Sequence, residues 1–403
     1  MIRERGILHG LPVARRPPGA PRGDAHAAGA IDKPPGVYQY AAQHRGLPGC
    51  RDRTNVNAIA LNPEYLAYRL NFETENVEFL PVSRSELRQA HSLSRQALGP
   101  GRQLVPVSLT ELAPLLEDAD RLNEAAPPRF IFHTAFCSST FLSRCLDVEG
   151  VCLGLREPQL LLDAANAKRL QWRSRAGGLD YRDLARLALI LLRKHAGPTE
   201  TLVIKPINSV NNIVTELLQI TGRSQALMLY GDARNFLLST LKKGEPAKHT
   251  VRSMFDLIRC DFPQLANLRL TDTIHMTDLK LIVTLWRLHV EQARQVLNDY
   301  APRNRMASVY GERLIDAPLD TLRAANRFLE LGIAGERIDE IAGSDRRFDD
   351  AKVAGKRFSA ELRRAAYRKV EDYYGDELDN ALQWMLRNNP GTRLVPELPG
   401  PLV

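Results

Sequence analysis

The residues best placed to do chemistry lie between Arg129 and Leu146, in the run RFIFHTAFCSSTFLSRCL. Phe130, Ile131 and Phe132 form a short apolar run of strand type that enters a stretch of small and hydroxyl side chains. An apolar-periodic segment, Phe141 to Leu146, follows at once. The pattern predicts strand, tight loop and helix in that order. Such a turn leaves backbone N–H groups unpaired at a helix start, where those donors and the helix dipole stabilise an anionic group. Ser138, Ser139 and Thr140 add hydroxyls at the same point. The chemistry this predicts is the holding of a phosphate or a sulfate. A plain strand–helix connection capped by serines would read the same way, because Ser and Thr are common N-caps.

The loop is not of the nucleotide-hydrolase form. That form needs two glycines and a Lys-Ser/Thr pair, and residues 134–140 contain neither glycine nor lysine. It resembles instead the turn of the sulfotransferases, which reads roughly basic-Ser-Gly-Thr-Thr before its helix. Phe136-Cys137-Ser138-Ser139-Thr140 fits that turn, with Phe136 in the basic place and Ser139 where threonine is usual. In Leu155-Arg156-Glu157-Pro158, Glu157 lies 21 residues after Phe136. This is the register of the glutamate base in tyrosylprotein sulfotransferases. Ile204-Lys205-Pro206 is similar to the family turn whose lysine sits beside the transferred sulfuryl group. Leu229 to Ser239 resembles the second nucleotide motif and matches it at Asp232, Arg234 and Ser239, with Gly231 where an arginine belongs. Tyr310-Gly311-Glu312-Arg313-Leu314, with Pro318, Leu322, Phe328 and Leu329, looks like the strand and helix that close the sulfotransferase sheet.

The resemblance spans roughly residues 79–357 in order. It is closest to a group of uncharacterised bacterial proteins whose loop reads His-Thr-Ala-Phe-Cys-small-Ser-Thr. It implies a three-layer, P-loop-like α/β fold with a central parallel sheet flanked by helices. It also implies transfer of a sulfuryl group from phosphoadenosine phosphosulfate (PAPS) to a hydroxyl or amine by in-line displacement, with no metal. On this likeness Glu157 is the general base and Lys205 neutralises charge on the sulfuryl oxygens. Residues Phe136, Cys137, Ser138, Ser139 and Thr140 cradle the phosphosulfate. Arg234 and Ser239 hold the ribose phosphate, with help from Lys352, Lys356 or Arg357. The acceptor is a small molecule, a glycan or a peptide. Because Phe136 and Gly231 replace two basic donor contacts, a second reading stays open: a degenerate member that binds a nucleotide or protein without turnover. His133 and Cys137 also form a nominal Cys–His nucleophile pair, with no third orienting group evident in the sequence.

The bulk properties narrow the partners. The 403-residue chain carries a net charge of +8. Residues 1–53 hold nine basic and four acidic side chains, +5 of that total, so the remaining body is nearly balanced and gives no warrant for a nucleic-acid partner. The same stretch has eight glycines and seven prolines and too little apolar periodicity to offset its ordering entropy. Residues 1–54 therefore read as a disordered tail or a translated leader. They lack the continuous apolar core of a signal peptide, and no membrane span is expected anywhere. Five cysteines at 50, 137, 145, 152 and 260 form neither paired metal spacing nor an even disulfide framework. A reducing, cytoplasmic setting is the simplest expectation.

The elements that must position these residues follow from periodicity. Strands are expected at 78–82, 129–133, 201–205, 224–230 and 306–310. Helices are expected at 85–98, from 108 to before Pro127, and at 182–195, 211–220, 234–242, 279–300 and 319–331. Strands alternating with helices mean a parallel sheet. The stretch 242–278 breaks that rhythm and reads as a substrate-side insertion. The division expected is one α/β domain over 55–390 and an irregular tail over 391–403.

Overall fold

The computed structural model describes residues 58–117, 127–175, 177–263, 265, 273, 276–343 and 360–403. The expected N-terminal tail and the basic residues Lys352, Lys356 and Arg357 lie outside them. An antiparallel sheet of β1 (Tyr65–Asn71), β2 (Asn76–Pro81) and β3 (Val105–Ser108) stands first in the chain. The central sheet follows: β4 (Arg129–His133), β5 (Cys152–Arg156), β6 (Thr201–Lys205), β7 (Ala226–Tyr230) and β8 (Met306–Tyr310). Its order is β5-β6-β4-β7-β8 and every pairing is parallel. All five residues of β4, β5 and β7 are buried, as a parallel sheet covered on both faces requires.

Helices cover both faces, so the architecture is α/β with three layers. Those used below are α1 (Arg84–Gln89), α2 (Ser139–Cys145), α3 (Gln159–Arg169), α4 (Tyr181–Arg193), α5 (Val214–Ile220), α6 (Ala233–Leu241), α7 (Glu245–Ile258), α8 (Asp278–Tyr300), α9 (Pro318–Phe328) and α10 (Ala360–Asn388). Along β4 the side chains alternate. Phe130 and Phe132 join a core shared with α3, α4, α5, α6 and α8, while Ile131 joins one shared with α2 and α9. α4 shows how the sequence does this. An Asp180–Asp183 capping box starts it, and Leu184, Leu187, Ala188, Leu191 and Leu192 form its buried stripe.

This topology makes a crevice. β4 exits into α2 on one face, whereas β6 exits through a 3₁₀ turn (Asn208–Ile213) and α5 on the other. Neighbouring strands whose connections leave to opposite faces open a gap at their C-terminal ends, the usual ligand position in such sheets.

Four expectations are corrected. β5 was not foreseen as a strand: it is short, holds a glycine and ends in Arg156. The helix expected over 85–98 stops at Gln89 and restarts at Arg95. It breaks because the Leu93 amide leaves to bond the Arg156 carbonyl at 2.7 Å. The segment 242–278 contains α7, whose Val251 and Phe255 are core residues. α10 was not foreseen, and the residues after it run along β8, where Ser308 N donates to Gly400 O and Leu402 N to Ser308 O.

Candidate active site

Lys205 and Glu157 meet at the C-terminal edge of the sheet. Lys205 ends β6 level with Arg156 of β5, and the Glu157 amide donates to the Lys205 carbonyl at 2.6 Å. Their side chains form an ion pair, Nζ to Oε1, at 2.8 Å. The lysine side chain is 1% exposed and the glutamate side chain 19%, so an incoming group meets the glutamate first. Glu157 has φ +57°, in the left-handed region that is unusual for a residue with a side chain. That conformation turns the chain out of β5 before Pro158 caps α3.

A buried arginine fixes the glutamate's backbone. Arg156 is fully buried; its guanidinium donates to Ala90 O at 2.8 Å, to Leu87 O at 3.2 Å and to Asp147 at 3.2 Å. Asp147 also pairs with Arg88 of α1, which reaches Glu200 at 2.9 Å. The network joins α1, β5 and the entry to β6. An arginine buried this deeply needs such a set of acceptors.

The loop after β4 stands across the crevice. Ala135, Phe136 and Ser138 have φ of +71°, +52° and +62°. Three residues of positive φ within four positions make an irregular turn before α2, and turns of this class can present successive backbone N–H groups to an anion. Ser138 makes no side-chain cap bond to α2, and Ser139 and Thr140 are largely covered. Burial pushes the Cys137 thiol up to about 11, against a Thr134 backbone bond and the nearby charge of Lys205. The loop and the lysine therefore share one electrostatic environment.

The nominal Cys–His pair does not form. His133 Nδ1 accepts from Ala135 N at 3.1 Å and Nε2 donates to Pro206 O at 3.2 Å. Both ring nitrogens serve backbone joining the ends of β4 and β6, and the thiol stays protonated at neutral pH. His289 is fully buried, bonded to Asn208 at 2.8 Å and pushed down to about 3 by burial. It stays neutral.

Arg234 and Ser239 face a different neighbour. Arg234 on α6 pairs with Glu371 and Asp379 of α10, each at 2.7 Å. Ser239 shares a hydrogen bond with Tyr367, against which Arg363 lies while pairing with both Glu312 oxygens at 2.6 Å. Asp232 caps α6 by accepting from Asn235 N at 2.7 Å, and it accepts from the Tyr310 hydroxyl at 2.9 Å. The structure thus brings Glu157 and Lys205 together beside the loop, and it ties Arg234 and Ser239 to α10.

Two residues not foreseen complete the loop's surroundings. The Lys243 ammonium sits 4.1 Å from the centre of the Phe136 ring, which packs T-shaped with Phe236 of α6, ring centres 5.0 Å apart. A cation over an aromatic face is held by the ring quadrupole, so positive charge stands at the loop although residue 136 has none. No periodic signal marks Lys243 in the sequence. Gly311, just after β8, lies so close that a Cβ there would be 2.5 Å from the Cys137 carbonyl oxygen.

Among the described residues no group of three or more His, Cys, Asp or Glu could hold a metal ion, and no helix is long and apolar enough to cross a membrane. Two cavities, of about 630 and 560 Å³, lie along α8, and neither is lined by Glu157 or Lys205.

No family model and no curated protein matches the chain. Among solved structures it is similar to the sulfotransferase domain from the curacin biosynthetic pathway, at 14% identity over 62% of this chain and 98% of that one, TM-score 0.37. A sulfotransferase from Mycobacterium avium is 11% identical over 65% of this chain and 81% of its own, TM-score 0.35. Retinol dehydratase, in complex with androsterone and the inactive cofactor PAP, is 14% identical over 82% and 93%, TM-score 0.35. At that distance the likenesses carry no argument about activity.

Proposed function

We propose that the chain is a sulfotransferase, moving a sulfuryl group from PAPS to a hydroxyl or amine acceptor, with the domain over 55–390 carrying the reaction. The observation that supports this most is the Lys205–Glu157 pair, 2.8 Å apart at the mouth of the crevice and beside the left-handed loop. In the step, the acceptor oxygen or nitrogen attacks sulfur while the bond from sulfur to the bridging phosphate oxygen breaks. The acceptor's proton passes to Glu157. Lys205 stabilises charge spread over the sulfuryl and bridging oxygens. The loop amides and the hydroxyls of Ser138, Ser139 and Thr140 would hold the phosphosulfate.

One observation favours the non-catalytic reading. Arg234 is engaged by two carboxylates of α10, and Gly231 offers no charge, so the donor's ribose phosphate has fewer cations to meet. Calorimetry separates the readings from an unrelated nucleotide enzyme. The desulfated product PAP should bind the parent protein and raise its melting temperature, ATP should do so weakly, and Lys205→Ala should remove most of the PAP effect. Tighter binding of ATP than of PAP would overturn the proposal.

A further inference from the structure

His133 stands between the loop after β4 and Lys205. It ends β4 and is 5% exposed. The ladder between β4 and β6 runs from Arg129 opposite Val203 to Phe130 opposite Ile204 and stops there. Pro206, which follows Lys205, has no N–H to carry the ladder further, so the crevice opens between the two strands at this point. On its other edge β4 stays paired with β7 as far as His133, and the Thr134 amide still donates to Leu229 O at 3.0 Å. The loop thus leaves the sheet tied to β7, and its tie to β6 has to come from a side chain.

The imidazole makes that tie. The Ala135 amide donates to Nδ1 at 3.1 Å, and Nε2 lies 3.2 Å from Pro206 O. The first contact requires a bare Nδ1, so the proton sits on Nε2 and is given to the Pro206 carbonyl. Both bonds exist together only in the neutral Nε2–H tautomer. Asn211 donates to the His133 carbonyl at 3.0 Å and steadies the residue's backbone from the 3₁₀ turn that follows β6. Ala135 is the first of the loop's three residues of positive φ. Residues with side chains keep that conformation only where their surroundings hold them. The ring is one such hold, and its far end is one residue from Lys205.

We propose that His133 is a positioning residue that sets the spacing between the loop after β4 and Lys205. It acts through its two backbone partners rather than on the donor. Through Nδ1 it orders the loop that receives the phosphosulfate. Through Nε2 it fixes the turn from which Lys205 meets the sulfuryl oxygens. The kinetic consequence rests on the sulfuryl-transfer reading; the tautomer and the hold on Ala135 do not.

Two near-isosteric variants of the full chain separate the ends of the ring. In His133→Asn the side-chain oxygen stands near the place of Nδ1 and keeps an acceptor for Ala135, while the Pro206 bond is lost. In His133→Gln the amide nitrogen reaches the place of Nε2 and keeps the Pro206 bond, while Ala135 loses its acceptor. Hydrogen exchange at the Ala135 amide should stay slow in the Asn variant and quicken about tenfold or more in the Gln variant. Calorimetry should find PAP affinity near parental for Asn and weakened about tenfold for Gln. With PAPS, the Asn variant should lose about 10–100-fold in kcat at little changed KM, the scale of a misplaced reacting group, whereas Gln should mainly raise KM. Nitrogen NMR of the parent at neutral pH should show a protonated Nε2 and a bare Nδ1. A protonated Nδ1 would overturn the assignment. So would unchanged behaviour in both variants, or losses that merely follow their melting temperatures. A parent protein that does not turn over PAPS would end the sulfuryl-transfer reading alone; the tautomer and the Ala135 exchange rates would still decide for or against His133, and the parent's own values decide it should a variant fail to fold.

Discussion

At the residue scale, the chemistry rests on where charge stands around one small crevice. Lys205 is buried at the end of β6, and Glu157 reaches it from a left-handed turn after β5. Lys243 adds a cation over the ring of Phe136, at the loop itself. This geometry gives Phe136 a purpose: an aromatic face that holds a lysine from another element. Lys243→Ala should therefore weaken PAP binding by roughly tenfold, the scale of one partly desolvated cation–π and charge contact. Titration calorimetry of the variant checks this, and Lys243→Arg should keep most of the affinity. The sequence marks Glu157 by its place 21 residues after Phe136 and Lys205 by its Ile-Lys-Pro turn, both through resemblance to sulfotransferase motifs. It could not mark Lys243, whose position depends on how α6 lies against the loop.

At the element scale, the loop is held from outside as much as by its own residues. Glycines would adopt its left-handed positions without strain, yet Ala135, Phe136 and Ser138 occupy them. The turn after β8 presses on it, with no room for a Cβ between Gly311 and the Cys137 carbonyl. Gly311→Ala should displace the loop or the turn, costing about 1–3 kcal/mol as an overpacked core position does. Thermal unfolding and PAP calorimetry should both register it. The strands at 129–133, 201–205, 226–230 and 306–310 were legible because their apolar runs are bounded by turns and spaced by helices. β5 was not, since a glycine and a terminal arginine break the pattern of a short run. The break in the helix expected over 85–98 was illegible for another reason: a long-range bond from Leu93 to Arg156 decides it.

For the whole molecule, three layers enclose polar groups whose protonation ties stability to pH. Burial pushes both His195 and His289 down to about 3. Unfolded, each would take up a proton near pH 6.5. Between those values the unfolded state binds more protons than the folded one, so stability falls as pH falls. Each histidine contributes roughly 1.4 kcal/mol per pH unit in that window, and the contribution is absent above about pH 7. Urea unfolding between pH 7.5 and about 5 should show this slope. His195→Gln should flatten it, provided the amide keeps the bond that His195 Nδ1 makes to Pro63 O at 2.9 Å. Equal slopes in parent and variant would place the acid lability in the carboxylates instead.

The central claim is that Glu157 takes the acceptor's proton. Glu157→Gln keeps the size of the side chain but removes the proton acceptor at neutral pH. Release of PAP from PAPS should be followed with a panel of phenols, alkyl alcohols and amines as acceptors, alongside calorimetry of PAP. The account predicts acceptor-dependent release by the parent protein, and a fall of about 10²–10⁴-fold in the variant with PAP affinity nearly unchanged. Near-parental turnover in Glu157→Gln would contradict the assignment of the base. The absence of acceptor-dependent release from the parent would contradict sulfuryl transfer and leave the non-catalytic reading.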